Sequence, residues 1–484
     1  MKFCWFMIAL AILELIAVIV ILKKMKKHRI GGGKRLLVFL TYLILSFVTV
    51  KFAFFPPILE VKTTGAYNIA SEDYWIETEQ TGVDGNKREI QVRAWYPKNY
   101  DGAEHSAKVI VFSHGSCGTI DNNLSLYREL ASHGYVVLAV AHEGQAISMV
   151  RSDGKTIRAN RDYLIEMINI KPQHNPEGAY SLYSKWMKER MSDLNLVMDD
   201  FKEKVKSSDE IYAKIADADE YIVAGHSSGG SAAYAMARTR EDVCACIALE
   251  APFMYDIKGV ENGEFIFDTS DYNVPILNIY TDSSYNHLRE WKQYKNNVLF
   301  LQSDNDNYVN IYYSGIGHME ICDLSLASPF LAVLLDGVYP EVSALEQLAV
   351  LNADCLKFLQ AECGISKKQN NIELTGPWHL DSERNDLIAF QDIFPCYAEF
   401  GASMEIKTSG QIYWYIGAEG GSGTYTQSGN VLTVDFVSDA NQQPVTVIFD
   451  VVLDNETASL VMEYNGTSVY WIYGDSGEPT AVGE

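Results

Sequence analysis

Two apolar runs of equal length, residues 3–22 and 36–55, open the chain. Each matches the roughly 20 residues a helix needs to cross the hydrocarbon core of a bilayer. Between them stand Lys23, Lys24, Lys26, Lys27, Arg29, Lys34 and Arg35, with three glycines for the bend, and Pro56-Pro57 stops the second run. A loop this basic stays in the cytoplasm, so the pattern predicts a membrane hairpin (residues 1–57) with everything after Pro56 outside. A cleaved signal peptide is the alternative for the first run, but its basic residues follow the apolar stretch and no small-residue cleavage site is visible. Glu14, the one acid in that run, either marks a pairing site with another helix or is an acid merely tolerated there.

Beyond the hairpin the pattern changes to short apolar runs separated by helical stretches. Ile90–Tyr96, Lys108–Ser113, Tyr135–Ala141, Tyr221–Ala224, Val243–Leu249, Pro275–Tyr280 and Val309–Tyr313 read as strands, several apolar throughout as expected of strands covered on both faces. Strands alternating with helices predict an α/β fold: a doubly wound, mostly parallel sheet over residues 58–366. Residues 145–218 are mostly helical and charged, with a long helix from Ser181 to Val205, and are a candidate cap over the carboxyl edge of the sheet. A last amphipathic helix covers 343–363, and Ser366 to Asn371 is a polar connector.

From 371 to 484 the runs become short and alternating, among them Gln411–Ile416, Gly423–Thr426, Val431–Phe436, Val445–Val452, Leu460–Tyr464 and Ser468–Tyr473, with Gly, Asn or Asp turns between them. Strands at this spacing predict a small all-β barrel or sandwich.

The formal charge of −24 is unevenly spread: residues 1–55 hold nine Lys or Arg against one acid, a net of +8, which leaves −32 on the remainder. So acidic a body is no nucleic-acid surface and is repelled by anionic lipid heads. The eight cysteines show no C-x-x-C and no Cys/His ligand spacing, so buried thiols are expected and no metal site is indicated; a Cys355–Cys363 disulfide is open to a chain outside the cell.

Candidate chemistry gathers at Gly225-His226-Ser227-Ser228-Gly229, a G-x-S-x-G between an apolar strand and a small-residue helix. That strand–turn–helix context makes a nucleophile elbow, with Ser227 exposed at a sharp turn. A serine hydroxyl needs an imidazole to accept its proton and an acid to orient that imidazole. In sheet hydrolases the order is Ser, acid, His. His318, in a glycine loop after the last strand, is placed to be the base; His287 lies in a helical stretch and His379 in the β-rich tail. Glu250 and Asp282 both follow strands and compete for the acid, and the residues alone lean to Asp282 as the later of the two. Backbone amides of Ser228 and of Ser116, in His114-Gly115-Ser116, are the candidate oxyanion donors. The triad chemistry needs no cofactor.

Arg93-Ala-Trp-Tyr-Pro97, Val111-Phe-Ser-His-Gly115, Ala131-Ser-His-Gly-Tyr135, Ala139-Val-Ala-His142, Gly225-His-Ser-Ser-Gly-Gly230 and Gly315-Ile-Gly-His318 occur in one order. Over residues 85–325 this set resembles the α/β-hydrolase family of the plasma platelet-activating-factor acetylhydrolases and their dienelactone-hydrolase-like carboxylesterase relatives. In that family the acid follows the strand after the nucleophile helix in a Leu-Asp context. Leu249-Glu250 holds that place here, so the resemblance implies Glu250, with Asp282 as the alternative and Glu for Asp as the departure. The Gly376-Pro377-Trp378 start and later Gly-Thr-Tyr of the tail resemble small lipocalin-like barrels of bacterial surface proteins. Together these imply a membrane-anchored serine esterase, with its catalytic domain outside, acting on small or lipid-derived esters. An acyltransferase with the same triad, a peptidase of the same fold, and a non-catalytic envelope binding protein are the rivals.

Overall fold

The structure, a computed structural model, describes residues 2–363 and then 376–382, 384, 385, 394, 397–407, 411–417, 419–428, 431–438, 443–454, 457–464 and 467–473. The polar connector expected at 366–371 lies outside the described residues. The chain divides into two compact units, Met1–Ile365 and Ser366–Glu484.

The first unit opens with α1 (Lys2–Lys27) and α2 (Gly32–Phe54), both long and apolar enough to cross a membrane. Glu14 is paired within this hairpin, accepting from Thr49 Oγ1 at 2.8 Å and Ser46 Oγ at 3.5 Å on α2. An acid in an apolar span needs such donors, because an unsatisfied carboxyl there is costly.

The sheet is built from β1 (Ile69–Thr81), β2 (Lys87–Pro97), β3 (Ala107–Ser113), β4 (Val136–Ala141), β7 (Ala216–His226), β8 (Val243–Leu249), β11 (Ile276–Thr281) and β12 (Tyr308–Tyr313). Two small hairpins, β5–β6 (Ser148–Val150, Thr156–Arg158) and β9–β10 (Ile257–Glu261, Glu264–Phe267), stand apart from it. Strand order is β1-β2-β4-β3-β7-β8-β11-β12, antiparallel at the β1 and β2 edge and parallel from β4 onward. The side-chain period of two explains the two cores. Val109, Val111, Leu138, Val140 and Val223 face one layer; Ile110, Phe112, Val137, Ala139 and Ile222 face the other. The first layer holds α5 (Pro176–Ser207) and α7 (Ser228–Thr239); the second holds α3 (Leu124–Ser132) and α12 (Ala344–Cys363).

The 145–218 stretch divides on this plan. Its carboxyl half is α5, packed into the first core through Leu194, Val197, Met198 and Phe201, then α6 (Ile211–Ile215) and the start of β7. Burying each such side chain contributes about 1.5–3 kcal/mol. Its amino half holds the β5–β6 hairpin and α4 (Arg161–Asn169), whose Tyr163 reaches Ser116. After β11 come α8 (Asp282–Tyr285) and α9 (Lys295–Leu301); after β12 come α10 (Leu324–Ala327) and α11 (Pro329–Asp336). Cys355 and Cys363 are both free thiols, and the nearer neighbour of Cys363 is Cys244, with the sulfurs 3.7 Å apart.

The second unit is a closed antiparallel barrel of β13 (Gly376–Leu380), β14 (Ala402–Ile406), β15 (Gln411–Ile416), β16 (Glu419–Ser428), β17 (Val431–Val437), β18 (Pro444–Asp454), β19 (Thr457–Tyr464) and β20 (Thr467–Tyr473). Each strand pairs with the next, and β20 returns to β13. Trp378, Trp414 and Trp471 are buried in its core with Phe449, Leu432 and Leu460.

Candidate active site

β7 ends at His226, and Ser227 caps α7 with φ 55° and ψ −124°, a conformation costly for any residue with a Cβ. The turn is possible because glycines surround it. A Cβ on Gly229 would stand 1.9 Å from Ser113 O, and one on Gly225 2.3 Å from the Gly229 carbonyl carbon. Two other non-glycine residues with positive φ, Cys117 (55°) and Glu250 (52°), lie just past the carboxyl ends of β3 and β8, the strands flanking β7.

Glu250 is 1% exposed and turns its carboxylate across to β11. Oε1 accepts from both the amide and the hydroxyl of Thr281, while Oε2 has no hydrogen-bond partner among the described residues and faces His318 Nδ1 at 3.9 Å. Asp282 is engaged elsewhere: it accepts from Tyr312 O–H and, at 3.0 Å, from the Gly315 amide. The alternative acid therefore shapes the loop that carries His318 and does not face the imidazole.

His318 sits over the elbow. Its ring lies on that of His226, centroids 4.5 Å apart, and its carbonyl is 3.2 Å from His226 Nε2. Nδ1 is turned to Glu250, which leaves Nε2 for the serine side. The Ser227 hydroxyl makes no hydrogen bond among the described residues, so the serine–imidazole contact is not closed in this conformation. Burial pulls the His318 pKa down, but the Glu250 carboxylate, with Asp336 and Glu320 behind it, outweighs that and holds it above its ordinary value. Glu320, desolvated and near Asp336, is itself pushed up to about 7.

The two candidate oxyanion residues adjoin. Ser116 Oγ donates to Ser228 Oγ at 3.0 Å and accepts from Tyr163 O–H at 2.9 Å. Among the described residues neither the Ser116 nor the Ser228 amide has a backbone acceptor outside regular helices and strands, so both N–H groups are free for a ligand oxygen. Gly115 lets the loop approach: a Cβ there would be 3.3 Å from Ser227 Cβ.

Sequence reasoning missed the group that holds this loop. Arg190 of α5 is fully buried and donates to His114 O (2.5 Å), Gly115 O (3.4 Å), Ser113 Oγ (2.9 Å) and Gln145 Oε1 (2.7 Å). In a trans peptide the C=O and N–H point opposite ways, so anchoring Gly115 O aims the Ser116 N–H away from Arg190. One turn on, Asp193 pairs bidentately with Arg88 (2.5 and 2.6 Å) and meets His142 Nδ1 at 2.8 Å; His142 Nε2 is 2.9 Å from Ser113 Oγ. Burial drives the His142 pKa to about 4, with Asp193 opposing, so this imidazole is neutral. The available signal was periodic. Arg190 and Asp193 fall on the stripe marked by Tyr183, Trp186, Met187, Leu194 and Val197, where an amphipathic helix should be apolar. His287 pairs with Glu290 and stacks on Trp291 outside the site, and His379 belongs to the barrel. A groove of about 490 Å³ between α5 and residues 254–258, lined by Met187, Met191 and Lys258 among others, includes none of the site residues.

The mostly parallel sheet, the serine elbow at the end of a central strand and the histidine loop after the last one define an α/β-hydrolase. Residues 101–376 match the model of the family described as platelet-activating factor acetylhydrolase, isoform II. The chain belongs to that family, and with it to the ester hydrolases. Among solved structures it is similar to a ferulic acid esterase from Streptomyces cinnamoneus (19% identity, 63% of this chain and 92% of that one, TM-score 0.44). It is also similar to a dienelactone hydrolase-like promiscuous phosphotriesterase from metagenomic libraries (13%, 60% and 98%, TM-score 0.39). No curated protein matches the chain.

Proposed function

We propose that the protein is a membrane-anchored serine carboxylic ester hydrolase working through an acyl-enzyme. The observation that carries this reading is the convergence of the Ser227 elbow, the His318–Glu250 pair and two unengaged amides on one sheet edge. Turned toward His318 Nε2, the Ser227 hydroxyl becomes the nucleophile as the imidazole takes its proton. Glu250 fixes the Nδ1–H tautomer and stabilises the imidazolium. The amides of Ser116 and Ser228 receive the oxyanion, His318 returns the proton to the leaving alcohol, and water then releases the acyl group.

Domain limits follow the chemistry: a hairpin over 1–57, a catalytic domain over 58–366 and a lipocalin-like barrel over 371–484. The basic turn between α1 and α2 sets the orientation, with catalytic domain and barrel outside a cell membrane. Substrates are small or lipid-derived esters.

The test is labelling by a fluorophosphonate probe together with p-nitrophenyl acetate hydrolysis. The full-length protein should label and turn over, and Ser227→Ala should lose both by at least about 10³-fold in rate. Folded Ser227→Ala with full activity refutes the reading. Stoichiometric acyl transfer to an added alcohol in place of water would move it to the acyltransferases.

A further inference from the structure

The two-residue alternation of β8 breaks once. Val243 and Cys246 face the first core, but Cys244 and Ala245, consecutive in the chain, both face the second. The ladder to β7 gives the reason. Tyr221 stands opposite Val243 and Ile222 opposite Ala245, so Cys244 is an extra residue, a bulge in a parallel pair. Bulges are rare between parallel strands, and they commonly re-aim a side chain. This one turns the Cys244 thiol to the layer that holds α12.

There it meets Cys363, the last residue of α12, with the sulfurs 3.7 Å apart. Cys244 donates its S–H to Tyr221 O at 3.4 Å, which leaves its sulfur lone pairs to Cys363. That contact holds Cys244 below the ordinary thiol pKa against burial and Glu220, with Lys108 assisting. It so favours the thiolate, the form that attacks a disulfide. The remaining described cysteines offer no such pairing. Burial raises the pKa of Cys246, Cys322 and Cys355, and half-buried Cys117 has Met167 Sδ as its neighbour at 3.7 Å. Cys355 and Cys363 stand on one helix about 12 Å apart along its axis, beyond the reach of a disulfide.

We propose that Cys244 and Cys363 are joined by a disulfide in the protein as it stands outside the membrane, stapling the end of α12 to the sheet. The oxidant is an external disulfide, small or protein-borne. The Cys244 thiolate attacks it and releases one thiol, and the Cys363 sulfur, losing its proton, displaces the second from the mixed disulfide. The two cysteines give up two electrons and two protons, the external disulfide takes them as two thiols, and the sulfurs close from 3.7 Å to about 2.05 Å.

The bond closes a loop from β8 to the end of α12 that carries both Glu250 and His318. It also pins the helix end from which the chain runs on to the barrel, and helix ends open first. Glu250 lies about 20 Å further along the strand direction from Cys244, so the staple stabilises the fold without touching the chemistry. The oxidising setting rests on the outside location proposed above; the sulfur geometry does not.

The experiment takes the full-length protein from cells quenched in acid, blocks free thiols with N-ethylmaleimide, digests with trypsin without reduction and reads linked peptides by mass spectrometry. Glu241–Lys258 should be joined to Phe358–Lys367 in most of the protein, with fragment ions placing the bond at Cys244 and not Cys246. Reduction should lower the melting temperature by at least about 5 °C and leave p-nitrophenyl acetate turnover within about twofold. Cys244→Ser and Cys363→Ser should each melt alike with and without reductant. A bond from either residue to any other cysteine overturns the proposal, and a linked peptide without a melting shift overturns the staple. Location is read separately, from an impermeant maleimide on intact cells carrying Val350→Cys, an exposed position of α12, against the unmodified chain. Free thiols at 244 and 363 with position 350 labelled overturn the disulfide alone. Free thiols with position 350 unlabelled overturn the outside location and the disulfide with it. A failure of the serine reading is distinct from both, because it leaves the linked peptide in place.

Discussion

Replacing Glu250 with Gln is the most demanding test of the site, because it removes one charge and little volume. At 3.9 Å, a carboxylate and an imidazolium attract by about 4 kcal/mol at an effective dielectric constant of about 20. That attraction exists only once His318 has taken the serine proton, so it lowers the barrier, by about three decades in rate at 1.36 kcal/mol per decade. His318 is 22% exposed, and solvent trims the figure, so the expected loss in kcat is about 10²–10³. The tautomer adds to it. In Glu250→Gln the new amide keeps its oxygen on the Thr281 amide and hydroxyl and turns an NH₂ toward His318 Nδ1. Two donors cannot face each other, so the ring is driven to carry its proton on Nε2, where it cannot act as a base. The pH dependence has a definite sign. The base works deprotonated, and Glu250 raises its pKa, so the acid limb of wild type lies above the ordinary histidine value. Glu250→Gln removes the largest raising influence, and the limb must move to lower pH even as the plateau falls. The assay is p-nitrophenyl acetate turnover from pH 5 to 9, with fluorophosphonate labelling and thermal melting as controls for fold. Asp282→Asn is the counterpart: it loosens the Gly315 turn, costs about tenfold, and leaves the limb in place. A Glu250→Gln protein within threefold of wild type, or a limb that shifts in Asp282→Asn instead, refutes the assignment.

Arg190→Met should lose about 2–4 kcal/mol of stability, since it leaves buried neutral acceptors at His114 O and Ser113 Oγ without their donor, and should slow turnover about 10–10²-fold with little change in KM; denaturant unfolding and initial rates measure the two. An unchanged kcat would show that the Ser116 amide needs no anchor. Gly229→Ala should fail to give folded, labelled enzyme, because its Cβ meets the backbone at Ser113 O with no flexible side chain to yield; a normal melting curve would contradict the elbow geometry.

Much of this was legible because buried parallel strands are apolar on both faces. Val243–Leu249 is read to the residue, and β3, β4, β11 and β12 to within one at either end. β1 was not legible: Ile69–Thr81 mixes acids with aromatics because an edge strand is half solvated, and its antiparallel ladder to β2 leaves no apolar run to find. α11 escaped for a different reason, since eight apolar-rich residues are too few for a helical period and were not separable from a loop. Chain order alone could not choose between Glu250 and Asp282, as both follow strands. Their different surroundings come from registry: Leu249 pairs with Ile279, which sets Glu250 beside Thr281 and sends Asp282 one residue past it toward the Gly315 turn.

The parts that local rules mark as unfavourable coincide with the chemistry, and the coincidence has a physical basis. Three neighbouring strands, β3, β7 and β8, end in turns that each place a non-glycine residue at positive φ, at Cys117, Ser227 and Glu250. Each such residue costs of order 1–3 kcal/mol, and no local preference of Cys, Ser or Glu offsets it. The turns persist because their surroundings admit no other backbone. Gly229 is pressed to Ser113 O, Gly230 to the Ala251 side chain, Arg190 holds His114 O and Gly115 O, and Thr281 holds Glu250. A sheet edge left to itself would relax into ordinary αR or extended turns, with hydroxyl, carboxylate and amides pointing to solvent. The buried Arg190–Asp193–His142 cluster is thus the counterpart of the strained elbow. It places desolvated charge in the core to hold the His114–Gly115 carbonyls, and in the proposed reaction the Ser116 amide behind them is where a site that must not reorganise needs its rigidity.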